Sequence, residues 1–297
     1  MSKVRFGISP LTWTNDDMPE LGGEIPLETC LSEMAEAGFT GTELGTKYPR
    51  DPDVLIPLLD KHNLVLASGW YSGNLMTLSA QEEIQAMQPH IRLLKAAKCQ
   101  AMVYGEVSNT VHGDINIPTS QRVILSMDEW KSYAAKLSEV ASYLYHEHDI
   151  KLSFHHHVGT ICETEEDINL LMELTAPEVF LTLDTGHVTY GGGDPVTMIK
   201  RWGHRIGHMH FKDLRLNVME TARAEDKSFL NAVLDGVFTV PGTGDVNYDE
   251  VFAALKERDY EGWLLVEAEQ DPAKANPLEY AKIAYQNITQ YANKYQL

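Results

Sequence analysis

The chain has 297 residues, 43% of them hydrophobic, with 24 Lys+Arg against 43 Asp+Glu and a net charge of −19. That composition supplies a large core, excludes extensive disorder, and sets up a field that repels phosphate backbones and anionic lipid, so neither nucleic acid nor membrane is an expected partner. No run of roughly 18 apolar residues occurs, MSKVRFGISP lacks the apolar stretch of a signal peptide, and Cys30, Cys99 and Cys162 are scattered like buried small hydrophobes, so a cytoplasmic protein is expected.

Short apolar runs expected to be strands recur at Phe6–Ser9, Thr42–Leu44, Val65–Ser68, Ala101–Tyr104, Leu152–His155, Phe180–Leu183, Gly207–His210 and Leu264–Glu267. Between them, Leu27–Ala37, Glu82–Ala97, Asp128–Glu147, Glu165–Leu174, Pro195–Lys200 and Tyr248–Arg258 return apolar residues every three or four positions and read as helices. Strands alternating with helices make βαβ units and a parallel sheet, and eight such units close into a (β/α)8 TIM barrel, an α/β fold. An open nucleotide-binding sheet would carry a glycine-rich first turn, whereas the first strand here runs into SPLTWTND. No linker or repeat divides the chain, so one TIM-barrel domain over residues 1–297 is expected. Two stretches without clear period, 107–125 and 214–241, follow the fourth and seventh strands. Insertions at these positions serve as substrate lids or as contacts between copies; both readings stand, and a homo-oligomer is open with the second.

Polar residues collect where the later strands end: KLSFHHHVGT, FLTLDTGH, IGHMHFKD and WLLVEAEQ. Side chains alternate across a strand, which pairs His155 with His157, His208 with His210, and Glu267 with Glu269 on single faces, while Asp184 closes its own run. Taken singly, such a histidine is more often a hydrogen-bonded structural residue, and Asp184 before Thr185-Gly186 reads equally as a helix cap. Taken together, four strands deliver carboxylates and imidazoles to one end of the barrel, and burying them without a cation costs several kcal/mol. A divalent-metal site follows.

These residues carry a resemblance. A ligand after strand five, Asp184 and His187 in DTGH, His210 and Asp213 in HFKD, and Glu267 in LLVEAE resemble the xylose-isomerase-like barrels, which include sugar isomerases, epimerases and endonuclease IV. GISPLTWTNDDMPELGG, GFTGTELGTKYPRDP, FHHHVGT, LDTGH, GVFTVPGTGDVNY and GWLLVEAEQDP together resemble the inosose dehydratase family, enzymes of inositol catabolism. The resemblance implies loss of water from 2-keto-myo-inositol (scyllo-inosose) to a trihydroxycyclohexane-dione through a metal-stabilised enolate, with glutathione as a possible stabilising thiol. One departure from the epimerases stands out: His155 occupies the position of their first carboxylate, which leaves Glu267 without its usual carboxylate partner.

Loss of a proton beside a ketone needs a Lewis acid, a base for the carbon and an acid for the departing hydroxyl. His155, Asp184, His210 and Glu267 are the expected ligands. His157 and His187 are the acid/base candidates, with Glu267 as a catalytic carboxylate; His187 reads equally as an anchor for a hydroxyl. A mixed carboxylate–imidazole set with room for a bidentate keto-polyol suits manganese or cobalt better than zinc. Trp13, Asn15, Glu43, Lys47 and Trp70 are expected to line a sugar pocket, with Tyr104 and Glu106 as further candidates. Lys212 reads either as a proton-transfer group touching substrate or as a solvated loop lysine. The alternatives are an isomerase or epimerase on the same site, a non-catalytic polyol-binding barrel, and phosphodiester cleavage, which the charge opposes.

Overall fold

A computed structural model describes residues 3–297, and the elements follow the alternation read from the sequence. Among the described residues the strands are β1 (Val4–Ile8), β2 (Gly41–Leu44), β3 (Val65–Gly73), β4 (Ala101–Glu106), β5 (Lys151–His155), β6 (Val179–Asp184), β7 (Ile206–Phe211), β8 (Asp213–Leu214), β9 (Phe238–Thr239) and β10 (Gly262–Val266). β1 to β7 and β10 pair in parallel and close on themselves, with β10 between β7 and β1. Leu264, Leu265 and Val266 are fully buried in succession, as expected of a strand covered on one side by barrel interior and on the other by helices.

The helices are started by local chemistry. Ser126 caps Met127–His148 in a reciprocal box with Glu129, and Thr164 with Asp167 does the same for Glu165–Leu174. Pro52–Lys61 and Pro277–Tyr295 complete the outer ring. Neither is among the helices read from the sequence: the first carries Pro57 internally, and the second buries mainly alanines, Ala281, Ala284 and Ala292, around Ile288.

The largest difference from the sequence reading lies in 214–241. The segment holds two short helices, Leu216–Ala224 and Phe229–Leu234, and an antiparallel ribbon of β8 with β9. Phe229, Leu230, Val233, Val237 and Phe238 build a satellite core with Tyr190 and Val158 over the C-terminal end of the barrel. The 107–125 segment stays largely irregular, with one short turn at Thr119–Gln121. Both segments reach the barrel mouth: Phe229 packs on His157 at 4.8 Å and His112 on the same ring at 5.1 Å. Two register shifts, at Thr42/Glu43 and Leu181/Thr182, adjust the strands that deliver Glu43 and Asp184.

Candidate active site

Asp184 ends β6 and caps the helix Thr185–Tyr190, so its two oxygens face different tasks. Oδ1 accepts the backbone N–H groups of Gly186 and His187, both at 2.8 Å. Oδ2 is buried and has no hydrogen-bond partner. Around it stand the Lys212 ammonium at 3.6 Å and His155 Nε2 and His210 Nδ1, each 3.7 Å away. His155 Nε2 lies 3.2 Å from His210 Nδ1, which lies 3.1 Å from Glu267 Oε2. Four donor atoms from β5, β6, β7 and the end of β10 thus converge on one point. His187 can be grouped with His155, Asp184 and Glu267 in place of His210. The short distances from His210 Nδ1 to all three other donors, and the use of His187 described below, favour His210.

The electrostatics carry the sign of a cation site. Burial alone would lower the His210 pKa, yet Glu267, Glu43 and Asp184 hold it well above the usual imidazole range. Asp184 would be raised by burial, but Lys212, His187 and its two histidine neighbours hold it well below the usual range. The cluster draws positive charge, and a divalent ion bound there would supply it. A buried carboxylate oxygen that accepts no hydrogen bond and stands beside two imidazoles fits such an ion. His210 presents its other nitrogen to Glu43 at 3.3 Å, and Ser68 Oγ donates to Glu43 Oε1 at 2.7 Å. A carboxylate gripping the far side of a histidine fixes its tautomer and orientation for ligation.

Beside this tetrad lies a second network centred on Lys212. Its Nζ is 2.7 Å from Glu267 Oε1, 2.8 Å from Glu269 Oε2 and 2.8 Å from His187 Nε2. The side chain is fully buried. Burial favours its neutral form, but Asp184, Glu267 and Glu269 raise its pKa above the ordinary lysine value. His157 packs on His187 with ring centroids 3.9 Å apart and planes tilted by 41°, and places Nε2 3.8 Å from Glu269 Oε1. Against burial, Glu269 raises the His157 pKa.

Above both clusters opens a cavity of about 350 Å³, lined by His155, His157, Glu267 and Glu269 below and by Asn15, Asp16, Asp17, Glu43, Trp70 and His112 around the rim. It is large enough for one small polar ring with its hydroxyls. Partial burial and the charge of Glu269 push Asp17 up to about 6.

The family described as xylose isomerase-like TIM barrel matches residues 31–289. The chain belongs to that family. It is 46% identical to the rhizopine catabolism protein MocC of Rhizobium meliloti, over 98% of this chain and 90% of that protein. It is 44% identical to an inosose dehydratase of Clostridium tetani, over 98% of both. The solved structure of the IolI protein with a binding zinc atom superposes with a TM-score of 0.70 at 18% identity, covering 98% of this chain and 99% of that one, which shows the shared barrel.

Within this xylose isomerase-like barrel, the residues read from the sequence land unevenly. His155, Asp184, His210 and Glu267 come together. Asn15, Glu43, Trp70 and His157 line the cavity, and Trp70 stands edge-on to His155 at 5.3 Å. His187 and Lys212 lie behind the cavity wall, bonded to each other, so Lys212 is neither a solvated loop lysine nor a wall residue. Trp13 and Lys47 are corrections. Trp13 is a core residue whose indole donates to Glu33 at 2.5 Å. Lys47 staples the chain by donating to the carbonyls of Gly22, Gly23 and Ile25. Tyr104 is buried in the core, and Glu106 accepts the N–H groups of Leu75 and Ser108. Asp213, matched in HFKD, accepts four backbone N–H groups, from Leu214, Gly242, Gly244 and Val246, and serves as a loop anchor. Cys162 and the other cysteines are buried and line no part of this cavity.

The sequence reading missed Glu269, Asp16, Asp17 and His112. Alternation had already put Glu269 on the face of Glu267; the other three sit on loops where no period points.

Proposed function

We propose that this protein is a cytoplasmic, metal-dependent hydro-lyase that removes water from 2-keto-myo-inositol to give a trihydroxycyclohexane-dione. The observation that carries the reading is the buried Oδ2 of Asp184, which accepts no hydrogen bond and is ringed by His155, His210 and Glu267, with Lys212 behind, beneath a cavity sized for one polyol. The near-full-length likeness to the C. tetani inosose dehydratase supports the substrate. His155, Asp184, His210 and Glu267 hold the ion, manganese or cobalt by the chemistry of the donor set. When bound, that ion supplies a Lewis acid for the ketone oxygen as the neighbouring carbon loses its proton.

The chain's own residues do the rest. His157 lies with Nδ1 2.8 Å from the Val158 carbonyl oxygen, so a proton on Nδ1 leaves Nε2 bare. That nitrogen, on the cavity wall, takes the proton from carbon. Asp17, raised toward neutrality in the same cavity, gives a proton to the departing β-hydroxyl, which leaves as water. The C–H electron pair becomes the new double bond, and the resulting enol tautomerises to the dione. Glu43 and Ser68 keep His210 in register, Lys212 holds Glu267 and Glu269, and Trp70 offers an aromatic face to the ring.

The test is metal-stripped protein incubated with 2-keto-myo-inositol, with and without manganese or cobalt. Ultraviolet absorbance follows the conjugated product, and mass spectrometry follows loss of one water. Metal-dependent water loss is the expected result. An unchanged mass with a rearranged sugar would replace dehydration by isomerisation, and no reaction with any ion would remove the substrate assignment.

A further inference from the structure

The Lys212 side chain ends where a cation would be expected. His157, His187 and Glu269 each offer one donor atom, and the three atoms lie within 4.8 Å of one another. That is a second carboxylate–imidazole cluster, next to the first and sharing no residue with His155, Asp184, His210 and Glu267. It differs in one respect: the Lys212 ammonium bonds both a histidine and a carboxylate of this cluster, whereas in the first it meets only carboxylates, Glu267 Oε1 at 2.7 Å and Asp184 Oδ2 at 3.6 Å. His187 Nε2, 2.8 Å from Nζ, accepts a hydrogen bond along the lone pair that would otherwise reach an ion, and Glu269 Oε2 receives the same ammonium at 2.8 Å. We propose that Lys212 is a built-in cation holding the place of a second divalent ion, so that the chain takes one ion and the His157–His187–Glu269 cluster is a latent metal site.

Two independent features of the chain fit this role. Gly186 opens the path for the lysine stem, since a Cβ there would come within 2.7 Å of Lys212 Cγ and 3.0 Å of its Cβ. Phe238, from the ribbon over the site, puts its ring 5.0 Å from Nζ and offers a negative face to the ammonium. The lysine is held from every side. The charge requirement is clear too: Glu43, Asp184, Glu267 and Glu269 are all buried at this end of the barrel, and one divalent ion does not balance four carboxylates. An ammonium tethered to the backbone adds positive charge that cannot dissociate at low metal concentration. It also confines Lewis acidity to one centre, which suits loss of a proton beside a ketone, whereas paired ions suit in-line displacement at phosphorus.

The inference rests on the one-ion centre of the proposed function, and the experiment separates the two. Metal-free full-length protein is titrated with cobalt by calorimetry and visible absorption, and bound metal is counted by elemental analysis after gel filtration. The parent binds one ion. Lys212→Ala, and Lys212→Met, which keeps most of the stem volume without the charge, bind two; adding His187→Gln or Glu269→Gln returns the count to one. His187→Gln alone, in the parent background, keeps one ion with unchanged affinity, because its lone pair is already engaged by Lys212. One ion in the parent and one in both folded lysine variants overturns this inference alone. Two ions in the parent, or loss of the ion in His187→Gln, also overturns it. No ion in the parent removes the one-ion centre and the inference together.

Discussion

The two halves of the barrel mouth use the same residue types for opposite ends. Around β1 to β4, several polar side chains are occupied by backbone. Glu106 accepts Leu75 N and Ser108 N, Glu83 accepts Asn74 N, Asn15 Oδ1 accepts Asp17 N and Met18 N, and Lys47 donates to three carbonyls. Around β5 to β7 and β10, donor atoms face one another: Asp184 Oδ2 accepts no hydrogen bond and stands 3.7 Å from both His155 Nε2 and His210 Nδ1. A buried polar atom without a partner costs about 1–3 kcal/mol; the first half also keeps such atoms, at Thr12 Oγ1, His90 Nε2 and the Tyr104 hydroxyl, but none of these three belongs to a group of donors close enough to share an ion. What marks the functional half is a carboxylate oxygen without a hydrogen bond among imidazole nitrogens in a closed space. Residue type at a strand end does not distinguish the halves, and Asp213 in the second half, with four backbone N–H donors, behaves like the first.

Substitutions sharpen that contrast, and the largest effect belongs to the open half. Glu267→Gln removes a charge from the donor set while keeping its shape. The expected loss of kcat/KM is roughly 10³-fold or more, since the Lewis acid supplies several kcal/mol of transition-state stabilisation. Elemental analysis should show the ion lost or greatly weakened while the thermal unfolding curve stays cooperative. Full activity in this variant would move the functional centre elsewhere.

Glu43→Ala tests the boundary between the halves. Glu43 comes from β2 but holds His210 of β7 at 3.3 Å. Losing such a support costs about 10- to 100-fold in metal affinity, measurable by competition with a chelator of known affinity. An affinity equal to the parent's would make Glu43 a cavity-wall residue only.

Glu106→Ala belongs wholly to the closed half. It leaves the N–H groups of Leu75 and Ser108 without their acceptor, so unfolding free energy should fall by about 1–3 kcal/mol in a denaturant titration. Ion content and turnover per folded molecule should stay at parental levels. A specific loss of turnover would bring β4 into the chemistry and blur the division.

The same division explains what could be read from the sequence. Strand order, barrel closure and the convergence of His155, Asp184, His210 and Glu267 follow from alternation and from the rule that ligands gather where parallel strands end. Lys212 was within reach of the same rule: it stands two residues beyond His210 and so on the same face, but Asp213 and the turn after it gave the stretch the look of a loop. Trp13, Lys47, Asp17 and His112 were out of reach. Each sits on a segment after a strand where no period fixes direction, and only the folded path decides that Trp13 turns to Glu33 while Asp17 turns to the cavity. The second insertion was unclear for a related reason: its helices, of 9 and 6 residues, are too short to display a repeat.

The smallest expected effect compares two histidines across the divide. His157, beside Glu269, is raised, whereas His90 of the Gln88–Ala96 helix packs on Tyr71 at 5.5 Å and is lowered by burial to about 4. Because the His90 pKa in the fold lies below its unfolded value, the unfolded chain binds more protons between the two. The contribution of His90 is therefore fully present above the unfolded value near 6.5 and is lost as pH falls through about 4. His90→Phe removes this titration and keeps the ring. Its unfolding free energy should fall less than the parent's between pH 6.5 and 4, by on the order of 1–2 kcal/mol once solvent screening is allowed for. Denaturant titrations on metal-free protein at several pH values measure it, with the donor cluster common to both proteins. Parallel curves would mean that His90 is protonated in the fold, and that the closed half of the barrel is wetter than its packing implies.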